Sequence, residues 1–232
     1  MTTEQTLREA GPLPTVGTLT AVAVVHKILR KSWEEPFSTA IDKRPVEGRV
    51  PLQRLGLAGD VQCDRKNHGG VHAAVYAYAD EDAAWWAAEL GREITPGLFG
   101  ENLRTSGIDV TGAEIGERWR IGPVDEGVLL EVASPRIPCR TFADRMAEPH
   151  WVKRFTVKRA PGAYLRVLEA GSIAAGDEVR VVHRPGHGVA IGDVTATAAP
   201  ATMRRLLEVA ERLDLTLDPG LRDHAVRIGA RT

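Results

Sequence analysis

The sequence is poor in several features that define classes of protein. It has only two cysteines among 232 residues, too few for a zinc site with four thiolate ligands. No window approaches the roughly 18 consecutive apolar residues that a membrane span needs. The 30 basic side chains nearly balance the 31 acidic ones, giving a net charge of −1. This balance provides no sequence-wide attraction to nucleic acid or to an anionic membrane surface.

Familiar catalytic and cofactor-binding motifs are also missing. The chain has no Gly-Lys-Ser/Thr phosphate loop, no GxGxxG after a strand, and no HExxH or GxSxG in its required context. The N-terminus lacks the basic and apolar regions of a secretory signal. We therefore expect a cytoplasmic protein in which residues 1–15 are a mobile leader.

Most of the remaining chain has the pattern of short strands separated by turns. Runs rich in β-branched residues, bounded by Gly, Pro and Asp, are typical of strands. Few helices accompany them, which favours a mainly β, barrel-like fold over alternating β and α units. The predicted strands are Thr18–Leu29, Val46–Val50, Ala73–Ala79, Arg118–Ile121, Val128–Ala133, Ala163–Glu169 and Glu178–His183.

Helical signals are fewer and concentrate at the C-terminus. Asp80 is a suitable N-cap for a helix over Glu81–Leu90, which Gly91 follows. Apolar residues at helical spacing indicate two helices near the end of the chain. We predict a barrel-like domain over residues 16–184 and a small helical extension over residues 185–232. The other predicted helices are Trp151–Arg159, Thr202–Leu213 and Pro219–Ile228.

The densest group of reactive side chains lies between two predicted strands. Lys66, His68, Gly69, Gly70 and His72 fall within this segment. Adjacent glycines let backbone N–H groups approach a ligand closely, and a neighbouring lysine supplies charge for an oxyanion. The same residues also suit a solvated loop with a tight turn, so this segment alone leaves both interpretations open.

A second group surrounds Cys139, directly after a predicted strand. Pro135 and Pro138 fix φ and stiffen the loop that carries the cysteine. Arg136 and Arg140 flank it, and guanidinium charge favours the thiolate, which is the nucleophilic and metal-binding form. An inert cysteine is the alternative. Cys63 lies beside an acidic residue and is not flanked by prolines or arginines in this way, so we interpret it as structural or incidental.

A third element is the glycine-flanked run over residues 97–103. Glu101 and Asn102 within it can offer a carboxylate and a carboxamide to a heterocyclic ligand. A turn with a capping asparagine explains the same residues. Trp85 and Trp86 are adjacent on a predicted helix, where neighbouring side chains diverge, so we expect one in the core and one at its rim.

Five short motifs in order resemble the MOSC domain family, named after the C-terminal domain of molybdenum cofactor sulfurase. The resemblance spans about Val16–His183 and is strongest to the bacterial stand-alone YiiM-type members, which carry a helical extension. The motifs are Leu55 to Asp60, Lys66 to Gly70, Phe99 to Leu103, Ser134 to Cys139 and Ala174 to Asp177. One departure is Val71-His72, where members often have an acidic and a basic residue.

The resemblance implies a molybdenum–pterin cofactor and reduction of N-hydroxylated bases and amidoximes. By position, Cys139 would be the molybdenum ligand and the catalytic residue. The implied cofactor contacts are Lys66, His68, Gly69, Gly70, Asn102 and Arg136, with Lys66 and Arg136 near the pterin phosphate. The chain lacks a flavin fingerprint and enough cysteines for a four-thiolate iron–sulfur cluster, so we expect an external reductase to supply electrons.

Two other functions remain open at this point. Cys139 could carry a persulfide in a sulfur carrier, or the protein could hold the pterin cofactor without turnover. Either a monomer or a homodimer fits the sequence, because Leu206, Leu207 and Leu213 of the extension can face the barrel or a second copy. We expect these leucines to pack within the chain.

Overall fold

A computed structural model of the protein describes residues 15–32, 36–63 and 69–231. The predicted leader lies outside these residues, except for residue 15. The described strands are, in chain order, β1 Val16–Ser32, β2 Pro36–Pro45, β3 Val50–Gln53, β4 Gly56–Leu57, β5 Val75–Ala79, β6 Leu103–Ser106, β7 Arg118–Ile121, β8 Val128–Pro135, β9 Ala163–Glu169, β10 Gly171–Ile173 and β11 Glu178–His183. The described α-helices are α1 Asp80–Leu90, α2 Arg140–Met146, α3 Trp151–Lys158, α4 Pro200–Arg212 and α5 Pro219–Gly229.

Seven strands close into a barrel, which confirms the mainly β, barrel-like fold. Their order is β11, β7, β8, β9, β5, β6 and β1, and β1 returns to pair with β11. The pairing of β5 with β6 is parallel, and the other pairings around the barrel are antiparallel. Small strands β10, β3 and β4 form a separate sheet. Buried Leu19, Trp119 and Leu165 belong to the apolar barrel core.

The strand β1 is longer than the barrel needs, and its second half forms an arm with β2. Val16 to Val22 pair with barrel strands, whereas Ala23 to Ser32 pair with β2. The β1–β2 register shifts twice, between Val25 and Lys27 and again between Lys27 and Leu29. Such irregularities bend and twist a strand. The arm therefore extends beyond the barrel strands and is itself bent.

A second, aromatic core lies beneath the arm. It joins α1, α2 and α3 to the barrel through closely spaced rings, among them Phe99, Phe142 and Phe155. Trp86 is buried in this core while Trp85 is 42% exposed, which confirms the prediction for the tryptophan pair. None of the described helices combines the length and apolar character that crossing a bilayer requires.

The C-terminal helices pack on the barrel and share its core. Met203 and Leu206 of α4 and Leu221 of α5 are buried in the same apolar cluster as the barrel strands. Leu207 is half-buried against this cluster, and Leu213 is exposed. The intramolecular packing expected for the three leucines is thus observed for Leu206 and Leu207 but is wrong for Leu213. A monomer or homodimer stays a prediction.

The carboxylate of Glu114 helps to hold the link into the extension. Glu114 accepts hydrogen bonds from the backbone N–H groups of Gly186, His187 and Gly188 at 2.6, 3.1 and 2.8 Å. His187 is buried, and its Nε2 lies 2.8 Å from the carbonyl oxygen of Ile115. The carboxylate thereby ties the chain entering α4 to the loop that precedes β7.

We expect Glu114→Gln to lower the free energy of unfolding by about 2 kcal/mol, because charge-assisted hydrogen bonds are replaced by fewer neutral ones. Chemical denaturation measures this change. Glu178→Gln is the matched control, since Glu178 pairs with Arg180 at the surface and such pairs contribute little. Equal stabilities of the two variants would show that Glu114 does not fasten the extension.

The structure corrects three local predictions. Val46–Val50 is not a strand, since only Val50 starts one, and the second strand is β2 at Pro36–Pro45. The helix α2 was not predicted. Asp80 is the first residue of α1 and the cap is Ala79. The carboxylate of Asp80 instead accepts a hydrogen bond from Thr20 Oγ1 at 2.7 Å and pairs with Arg104.

Candidate active site

A pocket of about 620 Å³ opens between the arm and the barrel. Strand β2 forms one wall with Phe37 to Ile41 and Lys43. The loop after β4, with residues 60–63, forms a second wall, and the segment from the end of β8 into α2 forms a third. Tyr76 of β5 and Tyr164 of β9 also line it. The extended β1–β2 arm therefore creates the pocket.

Cys139 lies on the wall that joins β8 to α2. Pro135 ends β8 and still pairs with Ala163 of β9, so the segment starts from a fixed point. Cys139 is half-buried, has extended backbone angles, and directly precedes α2. The helix is held to the arm because Arg145 pairs with buried Asp42 at 2.8 Å. Strand end and helix start together hold the thiol on the pocket wall.

Arg136 is a buried cation on the same wall. Its guanidinium carbon lies 4.3 Å from the ring centroid of Phe142 and 5.0 Å from that of Tyr76. Burial by itself acts to lower the pKa of Arg136, but Tyr164, Tyr76 and Cys139, which are negative when ionised, raise it above its ordinary value. Arg136 therefore stays charged, and it lies close enough to Cys139 for the charges of the two groups to interact.

The Nε atom of Arg136 has no hydrogen-bond partner within the described part of the chain. Arg136 also forms no ion pair with a carboxylate there, although the residue is only 8% exposed. A buried donor without a partner costs free energy, and such groups are often found where a ligand binds. Because Arg136 lines the pocket, its guanidinium is available to an anionic or acceptor-rich ligand bound there.

Opposite this wall, Asp60 organises a hydrogen-bonded network. Its Oδ1 accepts from the backbone N–H of Val25 at 2.9 Å, and its Oδ2 accepts from Asn102 Nδ2 at 2.8 Å. Lys43 Nζ forms an ion pair with the same Oδ2. Asn102 also accepts from the backbone N–H of Tyr76 at 3.2 Å. The network joins the arm, the loop after β4 and the residues before β6.

Burial lowers the pKa of Lys43, although the charge of Asp60 and its hydrogen bond raise it again. Arg136 adds to the lowering, and Glu101 opposes it. The net direction is downward. Lys43 is thus more readily deprotonated than an exposed lysine.

Glu101 has a structural position behind the pocket. Its carboxylate accepts from the backbone N–H groups of Gly97 and Phe99 at 2.8 and 3.0 Å and pairs with buried Arg104. Gly97 has φ +86°, and a Cβ there would lie 2.6 Å from the carbonyl oxygen of Lys43. The turn therefore packs directly against β2. Residues 97–103 were interpreted either as a ligand-binding segment or as a turn, and Glu101 stabilises a turn.

The predicted site residues have different places in the structure. Cys139, Arg136 and Asn102 line the pocket. Gly69 and Gly70 do not belong to its described lining, and the backbone N–H of Gly70 donates to the side chain of Gln62 at 2.8 Å. Lys66 and His68 lie outside the described residues.

Three pocket residues were not selected from the sequence. Lys43 follows Asp42 in what the sequence shows only as a charged run between two prolines, and no signal there indicates a site. Asp60 belongs to one of the family motifs but had no assigned role. Cys63, interpreted as structural or incidental, is an exposed residue on the pocket wall.

Fold and pocket together define a class: a seven-stranded barrel with an added arm, whose pocket presents a cysteine beside a buried arginine. The family model of the MOSC domain matches residues 64–180. YflK of Bacillus subtilis is 34% identical over 155 residues, covering 67% of this chain and 68% of YflK. The chain belongs to the MOSC domain family.

Two further comparisons add to this assignment. The fold resembles the crystal structure of YiiM from Geobacillus stearothermophilus, with a TM-score of 0.70 and 23% identity over 92% of this chain and 100% of YiiM. The resemblance to stand-alone YiiM-type members is confirmed. A protein named reductase from Gibberella moniliformis is 31% identical over 180 residues, covering 76% of this chain but 31% of that protein.

Proposed function

We propose that the protein binds a molybdenum–pterin cofactor in this pocket and reduces N-hydroxylated compounds there. The observation that carries the proposal is that Cys139 and buried Arg136 lie on the same wall of the pocket. Arg136 Nε has no hydrogen-bond partner in the described residues. Membership of the MOSC family and the reductase-named relative support the same direction.

The residues of the pocket fit such a group. A thiolate is a soft ligand that suits a molybdenum centre, and Cys139 provides one beside a fixed positive charge. Arg136 provides a buried donor for an acceptor-rich part of the ligand. When bound, the molybdenum cofactor supplies two-electron redox chemistry. We assign Cys139 as its metal ligand and Arg136 as a contact to its anionic part.

The other residues shape and orient the site. Asp60 and Asn102 hold the arm against the barrel through hydrogen bonds at 2.8 and 2.9 Å, so the pocket wall keeps its position. The apolar wall residues Phe37 and Ile41 provide surface for an uncharged substrate. Because two cysteines cannot ligate a four-thiolate cluster, the electrons come from a separate reductase in this proposal.

The test uses the full chain purified from a host that makes molybdenum cofactor. Dithionite-reduced viologen replaces the unknown electron donor, and an N-hydroxylated base such as N-hydroxycytosine is the substrate. We expect conversion to the parent base, and no conversion by protein from a host that cannot make the cofactor. Loaded protein that leaves the substrate unchanged would contradict the reductase proposal.

The same preparation separates the alternatives. Loaded protein without turnover indicates a cofactor carrier. Protein that lacks molybdenum but gains the mass of one sulfur atom on Cys139 indicates a persulfide-based sulfur carrier. Intact-protein and peptide mass spectrometry distinguish these outcomes.

A further inference from the structure

Lys43 is placed on the pocket wall by the arm and not by the barrel. It lies on β2, opposite Val25 of β1 in the arm register. Its side chain is 10% exposed and ends at the carboxylate of Asp60, whose side chain is 7% exposed. The ammonium is therefore held in one position at a pocket that opens to solvent. An amine so placed can donate a proton into the pocket and regain one from water.

Within the described residues, charged groups from three other parts of the fold act on Lys43. Asp60 lies in the loop after β4, Glu101 precedes β6, and Arg136 follows the end of β8. Cys63, on the wall of residues 60–63, also senses the charge of Lys43. Arg136 and burial favour release of the proton from Lys43, whereas Asp60 and Glu101 retain it.

Four other ionisable groups on the pocket are poorer proton donors than Lys43. Arg136 does not release a proton, because a guanidinium stays charged in proteins. Burial raises the pKa values of Tyr76 and Tyr164, and the hydroxyl of Tyr76 donates to the carbonyl oxygen of Pro161 at 2.7 Å. Asp60 accepts from Val25, Asn102 and Lys43, so it acts as an acceptor.

We propose that Lys43 is an acid catalyst, whose ammonium donates a proton to the departing hydroxyl oxygen of an N-hydroxylated substrate. This assignment rests on the proposed reductase function. Asp60 acts through Lys43 and is a positioning residue.

The reaction balances as R–NH–OH plus two electrons and two protons giving R–NH₂ and water. The N–O bond breaks and the nitrogen is reduced. Lys43 gives one proton to the oxygen, and water gives the other to the nitrogen. The two electrons come from an external flavin-containing or iron–sulfur reductase, which is oxidised. Lys43 is then neutral beside Asp60 and regains its proton from water at the pocket mouth.

The test compares Lys43→Arg with wild type, using reduced viologen and the N-hydroxylated base. Arginine keeps the positive charge beside Asp60 but does not release a proton. We expect kcat to fall at least about 100-fold, as for loss of a general acid, while KM changes less than about threefold. Molybdenum and pterin contents should equal those of wild type. Lys27→Arg, on the exposed face of the arm, is the matched control and should behave as wild type.

The pH profile gives a second readout. Because burial lowers the pKa of Lys43, the wild-type rate should fall as pH rises through a value below the ordinary lysine pKa of 10.5. Asp60→Asn removes a group that raises this pKa, so the fall should move to lower pH. NMR of protein labelled with ¹³C at the lysine ε-carbon measures the same shift directly, without turnover.

The outcomes separate the two levels of the proposal. Loaded wild type that does not reduce the substrate overturns the reductase function and this assignment with it. Active wild type, with Lys43→Arg of equal kcat and pH profile, overturns the assignment alone. If Lys43→Arg folds without binding the cofactor, wild type is compared with Asp60→Asn. If the pH profile of the rate and the titration of Lys43 are the same in these two proteins, the assignment of Lys43 is overturned.

Discussion

Cys139→Ser should lose its molybdenum and its reduction of N-hydroxylated compounds, each by at least roughly 100-fold, since even residues that only support a metal ligand contribute about 10- to 100-fold. A serine hydroxyl is rarely ionised at neutral pH, so the adjacent Arg136 cannot generate the soft anionic ligand that a thiol provides. Elemental analysis by mass spectrometry and the viologen-coupled assay measure the two losses.

The chain offers a matched control in Cys63. Both cysteines line the same pocket and are not joined by a disulfide. Cys63 lies near Asp60, and burial followed by the charge of Asp60 raises the pKa of its thiol, so it is a poorer thiolate. We expect Cys63→Ser to keep molybdenum and activity within about twofold of wild type, as a change outside the metal-binding contacts does. The reverse pattern would move the metal ligand to Cys63.

Arg136→Met should separate cofactor retention from protein stability. Methionine occupies the apolar space between Phe142 and Tyr76 but provides neither charge nor donor. We expect pterin and molybdenum contents to fall at least about tenfold, as the loss of a buried charge-assisted contact does. The cofactor-free variant should unfold at the same temperature as cofactor-free wild type or higher, because a buried cation with no carboxylate partner in the described residues is removed.

Arg44→Met is the control for the loss of one positive charge near the pocket. Arg44 follows Lys43 on β2 and is exposed, so its replacement should leave cofactor content unchanged. Two results together would show that Arg136 stabilises the fold and does not bind the ligand. Arg136→Met from the cofactor-making host would contain normal amounts of cofactor, and the cofactor-free variant would unfold at a lower temperature than cofactor-free wild type. Thermal unfolding and pterin fluorescence after oxidation provide the two measurements.

Much of the barrel follows from local sequence signals. The predicted bounds of β7, β9 and β11 agree with the structure, because turn residues such as Gly122, Pro123 and Gly176 bound these segments. The strand β2 was missed because Pro36 and Pro45 and the charged run before Pro45 are unfavourable for a strand in general. Its pairing with the long β1 makes it a strand, and that pairing is not a local property.

The two walls of the pocket also differ in how well the sequence predicts them. Cys139 and Arg136 were found from the sequence because the two prolines around them form a recognisable local motif. Lys43 and Asp60 meet only because β1 pairs with β2 and Val25 binds the carboxylate of Asp60 at 2.9 Å. No spacing in the sequence records that contact. The wall with the local motif was therefore predictable, and the wall that carries the proposed acid was not.

The proposed chemistry depends on a molybdenum–pterin cofactor bound in this pocket. The most direct test is to purify the untagged wild-type chain from a host that makes the cofactor and to measure molybdenum and pterin per chain. We expect nearly one of each. Absence of both, while a control molybdoenzyme from the same cells is loaded, would contradict it.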